Sequence, residues 1–190
     1  MRGKSMLSRL AALLPASALV AGCGAALAPL ANVALGAAGL GKAELPESQK
    51  PPRNVPLTLH AAARLNTDAR GQPLALAVRL YKLRQKDAFE QTPYAAFLDP
   101  RLERESLGAD LVEVREIMLA PGQRYEVTEK VAREAGHIGI VALFHTPAEK
   151  RWRAAFSTVD AERDGLNIGL YACAMGVGAS TAGIAAVRCK

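Results

Sequence analysis

From position 57 the chain alternates: Leu57, Leu59, Ala61, Ala63 and Leu65 stand against Thr58, His60, Ala62, Arg64 and Asn66. A period of two is the mark of a half-buried strand, because successive side chains leave opposite faces. A polar stretch, Asn66-Thr67-Asp68-Ala69-Arg70-Gly71-Gln72-Pro73, then breaks the pattern. Alternation resumes with Leu74, Leu76, Val78 and Leu80 on one face and Arg79 and Tyr81 on the other. These two strands either pair as a hairpin or lie in opposite sheets of a sandwich. Further strands are predicted over Leu111 to Leu119, over Tyr125 to Thr128 after the Pro121-Gly122 turn, over Trp152 to Thr158 and over Leu166 to Ala174. The last two are separated by the turn dipeptide Asp164-Gly165. Ile138 to Phe144 is almost continuously apolar, as a strand covered on both faces would be.

The segment from Asp87 to Gly108 lacks this alternation. Thr92-Pro93 and Asp99-Pro100 each place a capping residue before a proline, which suits the first helical position because that N–H has no intrahelical partner. Two short helices are predicted there. About seven short strands with a helical insertion define an all-β sandwich. Trp152, the sole tryptophan, falls between apolar strands and reads as core rather than as a partner contact, with Arg151 and Arg153 facing solvent.

The N-terminus follows other rules. Residues 1–9 carry Arg2, Lys4 and Arg9, an uncharged apolar stretch begins at Leu10, and Val20-Ala21-Gly22-Cys23 closes it. Basic head, apolar middle and small residues before a cleavage point make a secretory signal. The closing tetrapeptide resembles a bacterial lipobox. That resemblance implies cleavage before Cys23 and a diacylglycerol and an N-acyl chain on it, two attachments being what stable anchoring requires. Gly24, rather than Asp, after the cysteine points to the outer membrane. The uncharged stretch continues to Gly41, long enough for a retained transmembrane helix. However, its second half is mostly Ala and Gly, with Pro29 and Asn32, and inserts poorly. Between Gly24 and Asn54 the chain is Ala/Gly-rich and then passes Pro46, Pro51 and Pro52, with Pro56 just beyond; these four prolines oppose a regular helix or central strand. The expected organisation is a signal peptide over 1–22, a lipidated cysteine and tether over 23–54, a sandwich domain over 55–175 and a small-residue tail over 176–190.

Charge and cysteine content narrow the function. Three of the 24 basic residues lie in the first 22 positions, which hold no acid, so the remainder carries +3 rather than +6. No long Lys/Arg run remains, which argues against nucleic-acid binding. With Cys23 acylated, Cys173 and Cys189 either pair, as an oxidising compartment permits, or stay free thiols. His60, His137 and His145 are far apart and lack metal-motif spacing, and no G-x-S-x-G elbow is present, so neither a metal site nor a catalytic site is announced.

Several segments in order, LNTDARGQPLALAVRLYKL, DAFEQTPYAAFL, LGADLVEVREIMLAPGQ and GIVALFHTPAEKRWR, resemble the TssJ lipoproteins of type VI secretion systems over roughly Val55 to Ala174. The most telling pieces are Val78 to Leu83, Phe89, Phe97, Leu119-Ala120-Pro121-Gly122, and Ala142-Leu143-Phe144 ahead of Trp152-Arg153. The resemblance implies a transthyretin-like sandwich of seven to eight strands with a helical pair, no enzyme activity and no cofactor besides the lipid. It also implies a partner: the periplasmic C-terminal region of the inner-membrane, TssM-like component. The first inter-strand loop would make that contact, here Asn66, Thr67, Asp68, Ala69, Arg70, Gly71, Gln72 and Pro73. Without the resemblance the same loop reads as a solvated turn, and the fold alone would equally suit a periplasmic hydrolase or small-ligand carrier.

Overall fold

The computed structural model describes residues 45–178 and Cys189; the expected signal peptide, Cys23, most of the expected tether and most of the tail lie outside the described residues. Eight strands form two four-stranded sheets. They are β1 (Arg53–Ala61), β2 (Leu76–Leu83), β3 (Leu111–Leu119), β4 (Arg124–Val131), β5 (His137–Ala142), β6 (Arg153–Ser157), β7 (Leu166–Leu170) and β8 (Met175–Val177). One sheet runs β4-β1-β7-β8 and the other β3-β2-β5-β6. β1 and β2 therefore occupy opposite sheets and do not form a hairpin.

The period-two pattern explains the core. Val55, Leu57 and Leu59 of β1 and Ile168 of β7 face Val78 and Leu80 of β2 and Ile140 of β5, all essentially inaccessible to water. β1 lies antiparallel to β4 but parallel to β7. Strand formation starts at Arg53, inside the expected tether, and Pro56 sits within a central strand, contrary to the sequence expectation. The reason is local: pairing with β7 begins only at Leu57, so at Pro56 the strand is flanked by β4 alone and behaves as an edge, where a missing N–H is tolerated.

The other face of the second sheet would expose Tyr81, but the helical insertion covers it. Here α1 (Asp87–Gln91), a 3₁₀ turn (Tyr94–Leu98) and α2 (Pro100–Leu107) lay Phe89 and Phe97 against Tyr81, with ring centroids 5.4 to 5.7 Å apart. Gly139 of β5 is what lets Phe89 sit so close, since a Cβ there would come within 2.7 Å of the ring. Asp99 caps α2 as its sequence predicts, accepting from the amides of Arg101 and Leu102. Thr92 does not cap a following helix; its hydroxyl donates back to the Ala88 carbonyl and closes α1. A further helix, α3 (Thr158–Asp164), replaces the expected simple turn between β6 and β7, and Gly165 at φ +71° ends it.

Trp152 is core, stacked edge-on against Tyr94 and Phe97. Arg153 is not a free surface cation. Its guanidinium donates to the carbonyls of Phe89, Glu90 and Thr92, where α1 ends, and lies over the Trp152 ring. A cation at those unsatisfied carbonyls is the stabilising arrangement for a helix C-terminus.

Candidate partner-binding loop

The segment between β1 and β2 divides into a buried base and an exposed tip. Leu65 is buried beneath it, and Asn66 is only 6% exposed. The sequence had Asn66 projecting outward with Asp68, Arg70 and Gln72; instead its side chain turns inward. Its Nδ2 donates to the Ala75 carbonyl at 2.8 Å, and its Oδ1 accepts from the His145 amide at 2.6 Å. Its own amide donates to Tyr171 O, and that of Thr67 to Ala172 O. Asn66 holds φ +44°, a left-handed conformation that asparagine tolerates better than most residues. The Asn66 side chain thus ties the β1–β2 and β5–β6 connections together, and the backbone amides of Asn66 and Thr67 add the β7–β8 connection, so that buried polar groups find partners at one end of the sandwich.

The tip is built on Asp68. Its Oδ1 accepts from the amides of Arg70 and Gln72, an Asx-type closure, while Gly71 N donates to Asp68 O and Asp68 N to Gln72 O. Gly71 adopts φ +75°, which a side chain would strain. Asp68 and Thr67 are consequently half-buried, and Ala69, Arg70, Gln72 and Pro73 are what the tip offers to solvent. Leu74, 38% exposed, continues that surface, as do the exposed Arg64, whose guanidinium lies against Gly71, and His145. Sequence reasoning missed these three: Leu74 was placed on the strand's inward face, and His145 lies far from the loop in the chain. The exposed chemistry is two guanidinium groups beside an apolar Leu-Pro step, suited to an acidic partner surface with an apolar notch.

Support for this end extends outward. The Tyr94 hydroxyl donates to the Phe144 carbonyl at 2.6 Å, linking the helical insertion to the residue before His145; burial pushes that hydroxyl's pKa up to about 12, so it remains a donor. Cys173 and Cys189 are bonded to each other, and the Cys173 carbonyl accepts from the Ala148 amide, joining the β7–β8 and β5–β6 connections again. In the second sheet, Arg79 bridges Glu103 and Glu116 at 2.8 Å each, while the Tyr81 hydroxyl donates to the buried Glu103; burial and that carboxylate hold the phenol well above its ordinary pKa.

The opposite end receives the tether. Glu47 meets Lys50 at 3.0 Å, Arg53 at 2.7 Å and Arg133 at 3.0 Å, and Arg133 also donates to Pro51 O. β1 spans nine residues between the two ends, about 30 Å at the usual strand rise. Among the described residues no group of three or more His, Cys, Asp and Glu is placed to hold a metal, and no helix is long and apolar enough to cross a membrane.

Two four-stranded sheets packed face to face, with a helical insertion and a disulfide from the β7–β8 connection to Cys189, define a class of small β-sandwich domain. The family model described as "Type VI secretion lipoprotein, VasD, EvfM, TssJ" matches residues 53–173, nearly the whole described domain. Among solved structures, the T6SS lipoprotein TssJ1 from Pseudomonas aeruginosa is 34% identical with a TM-score of 0.59, over 70% of this chain and 99% of that one. A chain of a structure described as "Type VI membrane complex" is 25% identical with a TM-score of 0.61, over 67% and 98%. A chain of a structure described as the T6SS protein TssM C-terminal domain from EAEC is 24% identical with a TM-score of 0.59, over 67% and 99%, and speaks to the fold alone. A comparison with curated protein sequences finds no match. The chain belongs to the type VI secretion lipoprotein family.

Proposed function

We propose that this lipoprotein is held at the periplasmic face of the outer membrane by acyl chains on Cys23. From there it captures the periplasmic C-terminal region of a TssM-like inner-membrane component with the tip Ala69–Pro73. The reading is supported by one observation above others: an exposed tip mounted on a base whose buried side-chain polar atoms are partnered, at the end of the sandwich remote from residues 47–53. A binding loop so fixed loses little conformational entropy on association. The lipid restricts the domain to the membrane surface and the tether sets its reach, so that partner capture occurs at high effective concentration. Similarity to a chain of a structure described as a type VI membrane complex agrees with a place in such an assembly.

The test is the affinity of the mature chain for the partner's periplasmic region, with Arg70→Glu and Gln72→Glu combined. Both side chains leave the tip, so the melting temperature should hold while affinity falls about tenfold or more, ~1.4 kcal/mol or above. Lys130→Glu, exposed at the tether end, should bind as the parent does. Unchanged affinity in the tip variant would remove the loop from the interface. Mass spectrometry of the N-terminal peptide tests the anchor: a triacylated Cys23 supports it, an unprocessed Met1 contradicts it.

A further inference from the structure

Among the described residues, the β6 edge of the second sheet has no neighbouring strand. β6 is its outer strand, paired antiparallel to β5 with Ile140 opposite Ala154 and Ile138 opposite Phe156. The Ala142 amide donates to Trp152 O and the Thr158 amide to Gly136 O. Hydrogen-bonded pairs alternate along an antiparallel ladder, so Ala154 and Phe156 bond inward to β5. The N–H groups of Arg153, Ala155 and Ser157, and the carbonyls of Arg153 and Ala155, then point away from the sheet. Among the described residues none of these outward groups has a backbone partner. The usual guards of such an edge, an inward-pointing charge or a proline, are missing. Arg153 is the nearest charge, and it is folded away onto the carbonyls that end α1.

A groove lies on each face of this same edge. One runs beneath α1, lined by Phe89, Trp152, Arg153 and Ala155. The other lies between α3 and β8, lined by Phe156, Leu166, Asn167 and the half-exposed Val177. A strand added to β6 would send alternate side chains to opposite faces, one set into each groove. The charges at the edge give it a polarity. Lys150 and Arg151 are exposed at the start of β6 beside Arg153, against Glu149 alone, because Glu90 is taken by Lys86. At the other end Asp160 and Asp164 are occupied by Arg163.

We propose that β6 is a second docking surface, which takes an extended segment of a protein partner as an added antiparallel strand. The segment carries alternating small apolar residues and an acidic residue at its C-terminal end, where antiparallel pairing brings it beside Lys150 and Arg151. The surface shares no residue with the β1–β2 loop and does not depend on the reading of that loop.

The probe is an acetylated hexapeptide of alternating valine and threonine ending in aspartate, titrated into the full mature chain while amide signals are followed by NMR. Saturable shifts at Arg153, Ala155 and Ser157 are expected, and replacing the terminal aspartate with lysine should weaken binding severalfold. Ala155→Pro removes an outward N–H and no ladder bond, so it should keep the parental melting temperature and bind about tenfold or more weaker. If that variant fails to fold, a peptide N-methylated along one edge, added to the parent chain, must lose the same shifts. Equal binding by Ala155→Pro or by the N-methylated peptide overturns the proposal, as do shifts confined to the β1–β2 loop. Shifts at the β6 amides that grow with protein concentration in the absence of peptide also overturn it, by assigning the edge to a second copy of this chain.

Discussion

At the tether end of the sandwich, Glu47 gathers Lys50, Arg53 and Arg133 across a surface where the carboxylate is half exposed. At the loop end, Asn66 joins three connections through neutral hydrogen bonds away from water. The first arrangement is of the kind whose pairs contribute little singly and weaken with salt. The second is the kind whose loss strands buried donors and acceptors at full desolvation cost. The chain therefore holds residues 47–53 by adjustable ion pairs and the β1–β2 loop by fixed hydrogen bonds. The proposed capture role would draw on that difference.

The largest effect expected from breaking this contrast is Asn66→Ala. Two side-chain hydrogen bonds are lost, the His145 amide and Ala75 carbonyl lose their partners, and alanine is strained at φ +44°. Together these should cost roughly 3 kcal/mol in urea unfolding. Asn66→Gly sharpens the point, since relief of backbone strain should recover about 1 kcal/mol without restoring the bonds. Next in size is Cys189→Ser. Opening a cross-link between residues 16 apart should cost about 3 kcal/mol at most by loop-closure entropy, less where the reduced chain stays compact. The β7–β8 amides and Thr67 should then exchange faster, while α1 and α2 do not.

The smallest effect is expected at Glu47. Its carboxyl lies below the ordinary value of 4.5, foremost through the hydrogen bond from Lys50, with desolvation opposing and Arg133 adding to the depression. A depressed carboxyl pKa stabilises above the unfolded value and loses that contribution as pH falls through the folded one. Limited proteolysis before Pro51 should accordingly accelerate as the pH falls below the ordinary carboxyl value of 4.5, in high salt or in Glu47→Ala, with little change in global melting. A large drop in melting for Glu47→Ala would abolish the contrast between the two ends.

Most of the sandwich was legible because its strands carry period-two alternation, as in Leu57 to Ala61 and Leu76 to Leu80. Both Pro121-Gly122 and Asp99-Pro100 announced their local structure for the same reason: backbone constraints act within a few residues. What escaped notice depended on residues far apart in sequence. The inward turn of Asn66 is decided by His145 and Tyr171, and Arg153 finds its partners 61 to 64 positions away. The strand at Pro56 was hidden because the proline rule assumes pairing on both sides, and β7 arrives one residue later. The α3 helix could have been found: Asp160 in its first turn, Arg163 in its last and Gly165 after its end are ordinary helix signals, but Asp164-Gly165 also spells a turn. At the candidate site the family resemblance pointed to the β1–β2 loop, and tertiary contacts determine which of its side chains face outward.

The central claim is that the loop end, and not the tether end, meets the partner while the lipid holds the chain in the membrane. A photoreactive amino acid placed at position 70 of the lipidated chain, and separately at position 130, tests it in intact cells. The account predicts cross-linking to the inner-membrane component's periplasmic region from position 70 and none from position 130. Cross-links from position 130 with none from position 70 would contradict it.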